Sequence, residues 1–214
     1  MKARGELPRL YPIIDSAMFM NRKNALELLI GFARELLQGG ATLIQYRSKK
    51  AGAAEILIHV RELRRAVGSQ AALIMNDRAD LCLAGGCDGV HVGQQDLPVE
   101  SARRVLGDAA LVGISTHNLP QIVQADQTSA DYIAVGPVFA TKTKINPEPV
   151  VGLALIRAAR KTTSKPIVAI GGITSANCRS VIEAGADSVA VISELQTSPR
   201  KSVEQFLREL SAGG

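Results

Sequence analysis

The sequence contains no tryptophan, and aromatic residues make up only 3% of its 214 positions. Its core must therefore be built from Ala, Val, Leu and Ile, and a nucleic-acid surface that works by base stacking has few residues to use. No long Lys/Arg block occurs. The net charge of +5 is spread along the chain, which suits a small anionic substrate better than a nucleic acid. Cysteine is scarce too: Cys82, Cys87 and Cys178 form no C-x-x-C pair, as expected of free thiols in a reducing compartment. No apolar run reaches membrane-spanning length, and the first fifteen residues lack the continuous apolar stretch of a secretion signal. A cytoplasmic protein with no membrane partner is expected.

What is present is an ordinary globular balance, 46% hydrophobic and 21% charged. Short apolar runs alternate with amphipathic stretches at helical spacing. The apolar runs are Leu10–Ile14, Thr42–Tyr46, Ala72–Met75, Gly89–Val92, Leu111–Ile114, Tyr132–Val135, Pro166–Ile170 and Ser188–Ile192. The helical stretches are Asn24–Leu37, Ala53–Val67, Ala79–Ala84, Val99–Leu106, Pro120–Ala125, Gly152–Lys161, Ser175–Ala184 and Ser202–Leu210. The runs are apolar throughout rather than alternating, as expected of parallel strands buried on both faces. Eight strand–helix units predict one (β/α)8 TIM barrel spanning residues 1–214 as a single domain. A doubly wound open sheet is the rival, but the first run leads into Asp15-Ser16-Ala17 instead of a G-x-G-x-x-G turn. Pro12 inside the first run is unusual, because it removes a ladder donor.

In a TIM barrel chemistry sits at the C-terminal strand ends, and here those ends are polar or small. After the second run come Gln45, Tyr46, Arg47, Ser48, Lys49 and Lys50. If the strand persists, Gln45, Arg47 and Lys49 share a side, and Arg with Lys suits a diphosphate; the alternative is a solvated basic loop. Asn76-Asp77-Arg78 and His91 to Asp96 close adjacent strands, so the carboxylates of Asp77 and Asp96 can meet above the barrel. Mg²⁺ between them would reconcile two acids with a neighbouring diphosphate; the alternative is a surface ion pair for each, with Arg78 or another Arg. The fifth strand ends Ser115-Thr116-His117. Gly171-Gly172 after the seventh, with Thr174 and Ser175 following, and Ile192-Ser193 after the eighth, occupy the usual phosphate position of such barrels, though Gly-Gly alone is often only a tight turn. The loop Pro137–Pro149 is long and holds Thr141, Lys142, Thr143 and Lys144 in a row, the composition of a lid over phosphates or of a plain basic loop. His59 reads as structural, His91 as a core histidine and His117 as a rim group. No Ser-His-Asp or Cys-His arrangement stands out.

Taken together, the motifs resemble the thiamine-phosphate synthase family. They are Q-x-R-x-K (Gln45, Arg47, Lys49), N-D (Asn76, Asp77), H-x-G-Q-x-D (His91, Gly93, Gln94, Asp96), G-x-S-T-H (Gly113 to His117) and G-P-x-F-x-T-x-T-K ending at Lys144, in order between LYPIID and SVAVISEL. The resemblance implies a transferase of thiamine biosynthesis. Hydroxymethylpyrimidine diphosphate loses pyrophosphate, and the nitrogen of a thiazole phosphate takes its place. It implies that Gln45 to Lys49, Asn76, Ser115 and Lys144 hold the pyrimidine diphosphate and that Asp77 and Asp96 hold Mg²⁺. Thr141, Thr143, Gly172, Ile192 and Ser193 would hold the thiazole phosphate, with Gly171 close by; Lys142, in the same loop, is a further candidate binding residue. Arg47, Lys49, Lys144 and Ser115 are then the candidate catalytic residues. Tyr11, Tyr46 and Phe139 are the aromatic residues available to the pyrimidine ring. A thiazole tautomerase would need neither the acid pair nor the diphosphate cluster. A non-catalytic binding barrel would be expected to have lost one of Lys49, Asp77, Asp96 or Lys144, and an isomerase or aldolase would want a Lys or carboxylate inside the barrel. Whether the chain forms a homo-oligomer is left open.

Overall fold

A computed structural model of the chain describes residues 7–20, 22–141 and 149–211. The strands β1 (Leu10–Asp15), β2 (Leu43–Arg47), β3 (Ala72–Asn76), β4 (Gly89–Val92), β5 (Leu111–Thr116), β6 (Tyr132–Val135), β7 (Ile167–Ile170) and β8 (Ser188–Val191) pair in parallel and in sequence order into a closed barrel. Helices α1 (Ala25–Gln38), α2 (Ala53–Val67), α3 (Ala79–Gly85), α4 (Val99–Leu106), α5 (Leu119–Asp126), α6 (Gly152–Thr162), α7 (Cys178–Glu183) and α8 (Pro199–Ser211) follow the strands one by one. The expected (β/α)8 barrel is therefore observed. Short 3₁₀ turns at Ser16–Met18 and Ser193–Leu195 follow β1 and β8.

Strand parity divides the core in two. Tyr11, Ile13, Leu43, Ile74, Tyr132, Ala134, Val168 and Ala190 pack among themselves inside the barrel. The alternate residues, such as Ile14, Ile44, Tyr46, Met75, Val90, Ile133 and Val189, join the larger core between sheet and helices. The helices meet that outer layer with one face each; in α1 the buried residues are Leu29, Phe32, Ala33 and Leu36, one helical stripe. Pro12 stays within β1, paired with Val191, and nothing in the structure explains it.

At the N-terminal end of the barrel one device recurs three times. Asp88, Asp131 and Asp187 each precede a strand. Each accepts a hydrogen bond from a backbone N–H of the preceding strand, that of Leu73, Val112 and Ile167 respectively, at 2.7 to 2.8 Å. Each also pairs with an arginine in the last turns of an even-numbered helix, Arg64, Arg103 and Arg160. The same guanidinium groups donate to carbonyls just past those helices, including those of Gly68, Ala110 and Lys165. A cation there also complements the helix C-terminus. This end carries stability, and the opposite end is left for chemistry.

Candidate active site

Register brings the inward-facing residues into tiers. Ile13 pairs with Gln45 and Asp15 with Arg47; Asn76 pairs with His91, His91 with Gly113, and Ser115 with Ala134. The upper tier is thus polar from β1 to β5. From β6 to β8 the same pocket is lined by Ala134, Gly136, Val168, Ile170, Ala190 and Ile192. One pocket at the C-terminal end spans both halves. Of the residues expected from sequence, Gln45, Arg47, Asn76, Ser115, Thr141, Gly171, Gly172, Ile192 and Ser193 line it.

The polar half is held by specific partners. Arg47 forms an ion pair with Asp15, whose other oxygen caps the 3₁₀ turn by accepting from Ala17 N at 3.0 Å. The Nδ2 of Asn76 is buried and has no hydrogen-bond partner, a donor that a ligand can satisfy. β2 ends at Arg47, so Lys49 lies beyond the strand; its ammonium still reaches the rim and sits 2.5 Å from Asp77 Oδ2. Asp77 is held with φ of 65° and donates its N–H to His91 O at 2.7 Å. Asp96 accepts from Gly93 N at 2.8 Å. Burial, and next the neighbouring Asp77 carboxyl, raise the pKa of Asp96, while Lys49 opposes them. The two acids therefore meet, as their strand positions predict. Arg78 pairs with Asp80 and not with either of them.

Three placements depart from expectation. Tyr46 has the opposite parity to Gln45 and Arg47, so its ring leaves the pocket and packs edge-on against His59, its hydroxyl 2.7 Å from His59 Nδ1. Ser48, past the strand end, accepts from Ser16 Oγ at 2.8 Å and does not line the pocket. Helix α7 starts at Cys178 rather than Ser175, because Asn177 closes a turn over the preceding loop. Its Oδ1 accepts from Thr174 N at 2.8 Å and its Nδ2 donates to Gly172 O at 3.1 Å. Gly171 and Gly172 adopt φ of 103° and 62°, and the chain after β6 packs hard on them; a Cβ on Gly172 would stand 2.4 Å from Ala140 O. The glycines are required by that close approach and by their positive φ, whatever the site binds. Lys142, Thr143 and Lys144 lie outside the described residues.

Sequence reasoning missed Tyr11, His91 and Tyr132 as a set. Inside the barrel Gln45 Nε2 donates to the Tyr11 hydroxyl at 3.0 Å, and Tyr11 meets the Tyr132 hydroxyl at 3.1 Å. Tyr132 meets His91 Nδ1 at 3.1 Å, and His91 Nε2 meets Ser115 Oγ at 2.8 Å. Burial raises the pKa of both tyrosines, so both stay protonated. The available signal was parity: residues 11, 45, 91, 115 and 132 all fall on inward strand positions. His117, read as a rim group, lines the pocket and donates from Nδ1 to Gly136 O at 2.6 Å.

A family model described as thiamine monophosphate synthase matches residues 10–195. A thiamine-phosphate synthase of Koribacter versatilis is 57% identical over 96% of this chain and 97% of its own length. One from Chloroflexus aurantiacus is 44% identical over 86% of this chain and 83% of its own. A solved thiamine phosphate pyrophosphorylase from Pyrococcus furiosus superposes with a TM-score of 0.82 at 32% identity, covering 97% of this chain and 96% of that one.

Proposed function

The chain belongs to the thiamine monophosphate synthase family, and on that premise we propose how its rim joins the two halves of thiamine phosphate. The reaction is the condensation of 4-amino-2-methyl-5-hydroxymethylpyrimidine diphosphate with thiazole phosphate, giving thiamine phosphate and pyrophosphate. The carrying observation is the division of one pocket into a polar half and an apolar half. The polar half, with Gln45, Arg47, Asn76 and Ser115, suits the diphosphate. The apolar half suits the thiazole, and its glycine-rich edge suits the second phosphate.

Among the described residues no helix is long and apolar enough to cross a membrane, which fits an enzyme of small phosphorylated molecules in the cytoplasm. The donor set of Asp77 and Asp96 is hard, anionic and adjacent, so it fits Mg²⁺, and Lys49 already offers compensating charge at that spot. Bound there, Mg²⁺ would supply positive charge to the leaving diphosphate.

The chain's own residues do the rest. The methylene C–O bond breaks and its electron pair leaves with pyrophosphate, where Arg47, Lys49, Ser115 and Lys144 donate to the oxygens. The thiazole nitrogen then gives its lone pair to the methylene carbon and forms the C–N bond. No proton has to be removed, consistent with a pocket in which the two nearby histidines are already engaged with Ser115, Tyr132 and Gly136. Holding nucleophile and carbon together supplies the remaining acceleration.

The test is an assay with both substrates and Mg²⁺, reading thiamine phosphate and pyrophosphate. Equal, Mg²⁺-dependent yields are expected. Binding of thiazole phosphate without any product would move the chain to a tautomerase or a binding barrel, and electron-withdrawing substituents on the pyrimidine that left the rate unchanged would exclude departure of the leaving group first.

A further inference from the structure

The buried chain from Gln45 to Ser115 has a direction. An amide NH₂ only donates, so at 3.0 Å the Tyr11 oxygen must accept from Gln45. Tyr11 has one proton left, and its partner at 3.1 Å is the Tyr132 oxygen. Tyr132 in turn has one proton, and its partner at 3.1 Å is His91 Nδ1, which must then be the unprotonated nitrogen. In a neutral ring the proton is therefore on Nε2, where it is donated to Ser115 Oγ at 2.8 Å. Ser115 has its acceptor role filled from behind, and it lines the pocket. Its own proton is free to point forward.

We propose that Gln45, Tyr11, Tyr132 and His91 form a one-way hydrogen-bond relay that fixes the Nε2–H tautomer of His91 and turns the Ser115 hydroxyl into a donor committed to a ligand oxygen. Tyr11, Tyr132 and His91 are positioning residues, acting through Ser115. The relay is a property of the ligand-free fold. The identity of the ligand oxygen, one on the diphosphate, rests on the reading above. Committing the hydroxyl beforehand spares the site a reorganisation when charge develops on the leaving group. The buried, neutral tyrosines and the stacking of His91 on Tyr132, with ring planes 23° apart and centroids 5.5 Å apart, leave the relay little freedom to turn.

Nitrogen NMR on ligand-free protein with isotope-labelled histidine reads the tautomer directly. Wild-type His91 is expected as Nε2–H with Nδ1 unprotonated; an Nδ1–H ring or an imidazolium at neutral pH would overturn the proposal. Gln45→Glu replaces the obligate donor by an acceptor of the same shape. Every bond in the chain should then reverse, and His91 should switch to Nδ1–H. A folded Gln45→Glu protein that kept Nε2–H at a pH where carbon NMR shows the new carboxyl ionised would also overturn it. Tyr132 does not line the pocket. Tyr132→Phe should nevertheless weaken binding of inorganic pyrophosphate about three- to tenfold, the worth of one hydrogen bond; unchanged affinity would refute the link to Ser115. None of these readings requires turnover, so failure of the relay and failure of the proposed reaction are distinguishable.

Discussion

Gly113 and Tyr132 are register partners on β5 and β6, and a Cβ on Gly113 would stand 2.0 Å from the Tyr132 Cζ and 2.4 Å from its hydroxyl. The absence of a side chain on β5 is what lets a tyrosine ring lie across the barrel interior. Gly113→Ala must therefore displace the ring that links Tyr11 to His91. Overpacking of this kind costs about 1–3 kcal/mol. A urea midpoint should show that loss, and kcat/KM should fall further than the same loss of stability produces elsewhere in the core. An unchanged kcat/KM would mean that the ring's position is irrelevant to the pocket.

The choice of substitution at Asp77 is set by its backbone. With φ of 65° it occupies the left-handed region, which Asn tolerates and Ala does not. Asp77→Asn should keep the fold while removing the charge from the acid pair. On the proposed metal site, the Mg²⁺ concentration for half-maximal turnover is expected to rise at least about tenfold, no less than the loss that follows removal of a group supporting a metal ligand. Asp77→Ala should show the same defect plus a stability loss of about 1 kcal/mol from the strained backbone. An unshifted Mg²⁺ titration in Asp77→Asn would remove this residue from the metal.

Stability and chemistry should separate cleanly at the other end of the barrel. Arg103 and Asp131 are mostly buried at 11% and 18% side-chain exposure, and Asp131 also accepts from Val112 N. Arg103→Ala leaves that carboxylate without its cation, a loss of about 3 kcal/mol. The denaturant midpoint should fall accordingly, with kcat and KM of the folded fraction unchanged. A change in KM would mean that the base of the barrel communicates with the rim.

The barrel was legible because β-branched runs and amphipathic stretches alternate without interruption, and α2, α4, β4 and β6 begin and end where the pattern predicts. The rim was legible wherever strand parity applied, as for Gln45, Arg47, Asn76 and Ser115. It was misread where a run of polar residues was taken whole: Tyr46 belongs to the outer layer by parity, and Ser48 lies past the strand end. α7 begins late because a side chain, Asn177, ends the loop in a way that periodicity does not record. The arginine–aspartate device was also in the sequence, as the repeated Cys87-Asp88-Gly89-Val90, Ala130-Asp131-Tyr132-Ile133 and Ala186-Asp187-Ser188-Val189, each a small residue, Asp, any residue and a β-branched one. The direction of the interior hydrogen bonds was not legible, since it depends on contacts across the barrel between residues up to 121 positions apart.

His59, behind the rim, gives the pH dependence a definite sign. Burial lowers its pKa below the ordinary value of 6.5, and Glu55, whose carboxylate lies 3.9 Å from Nε2, acts in the opposite direction but less strongly. The folded protein therefore binds a proton at His59 less readily than the unfolded chain does. Its contribution to stability is complete above pH about 6.5 and is lost as pH falls below that value toward the lowered folded pKa. Protonation would also fix the direction of the hydrogen bond with Tyr46, because a doubly protonated ring only donates and the Tyr46 oxygen must then accept. Melting temperatures measured from neutral pH down to about 5.5 should fall more steeply for the wild type than for His59→Gln, which has no proton to gain over that range. A wild type that instead gained stability relative to His59→Gln on acidification would mean that Glu55 outweighs burial and that the histidine behind β2 is held as a cation.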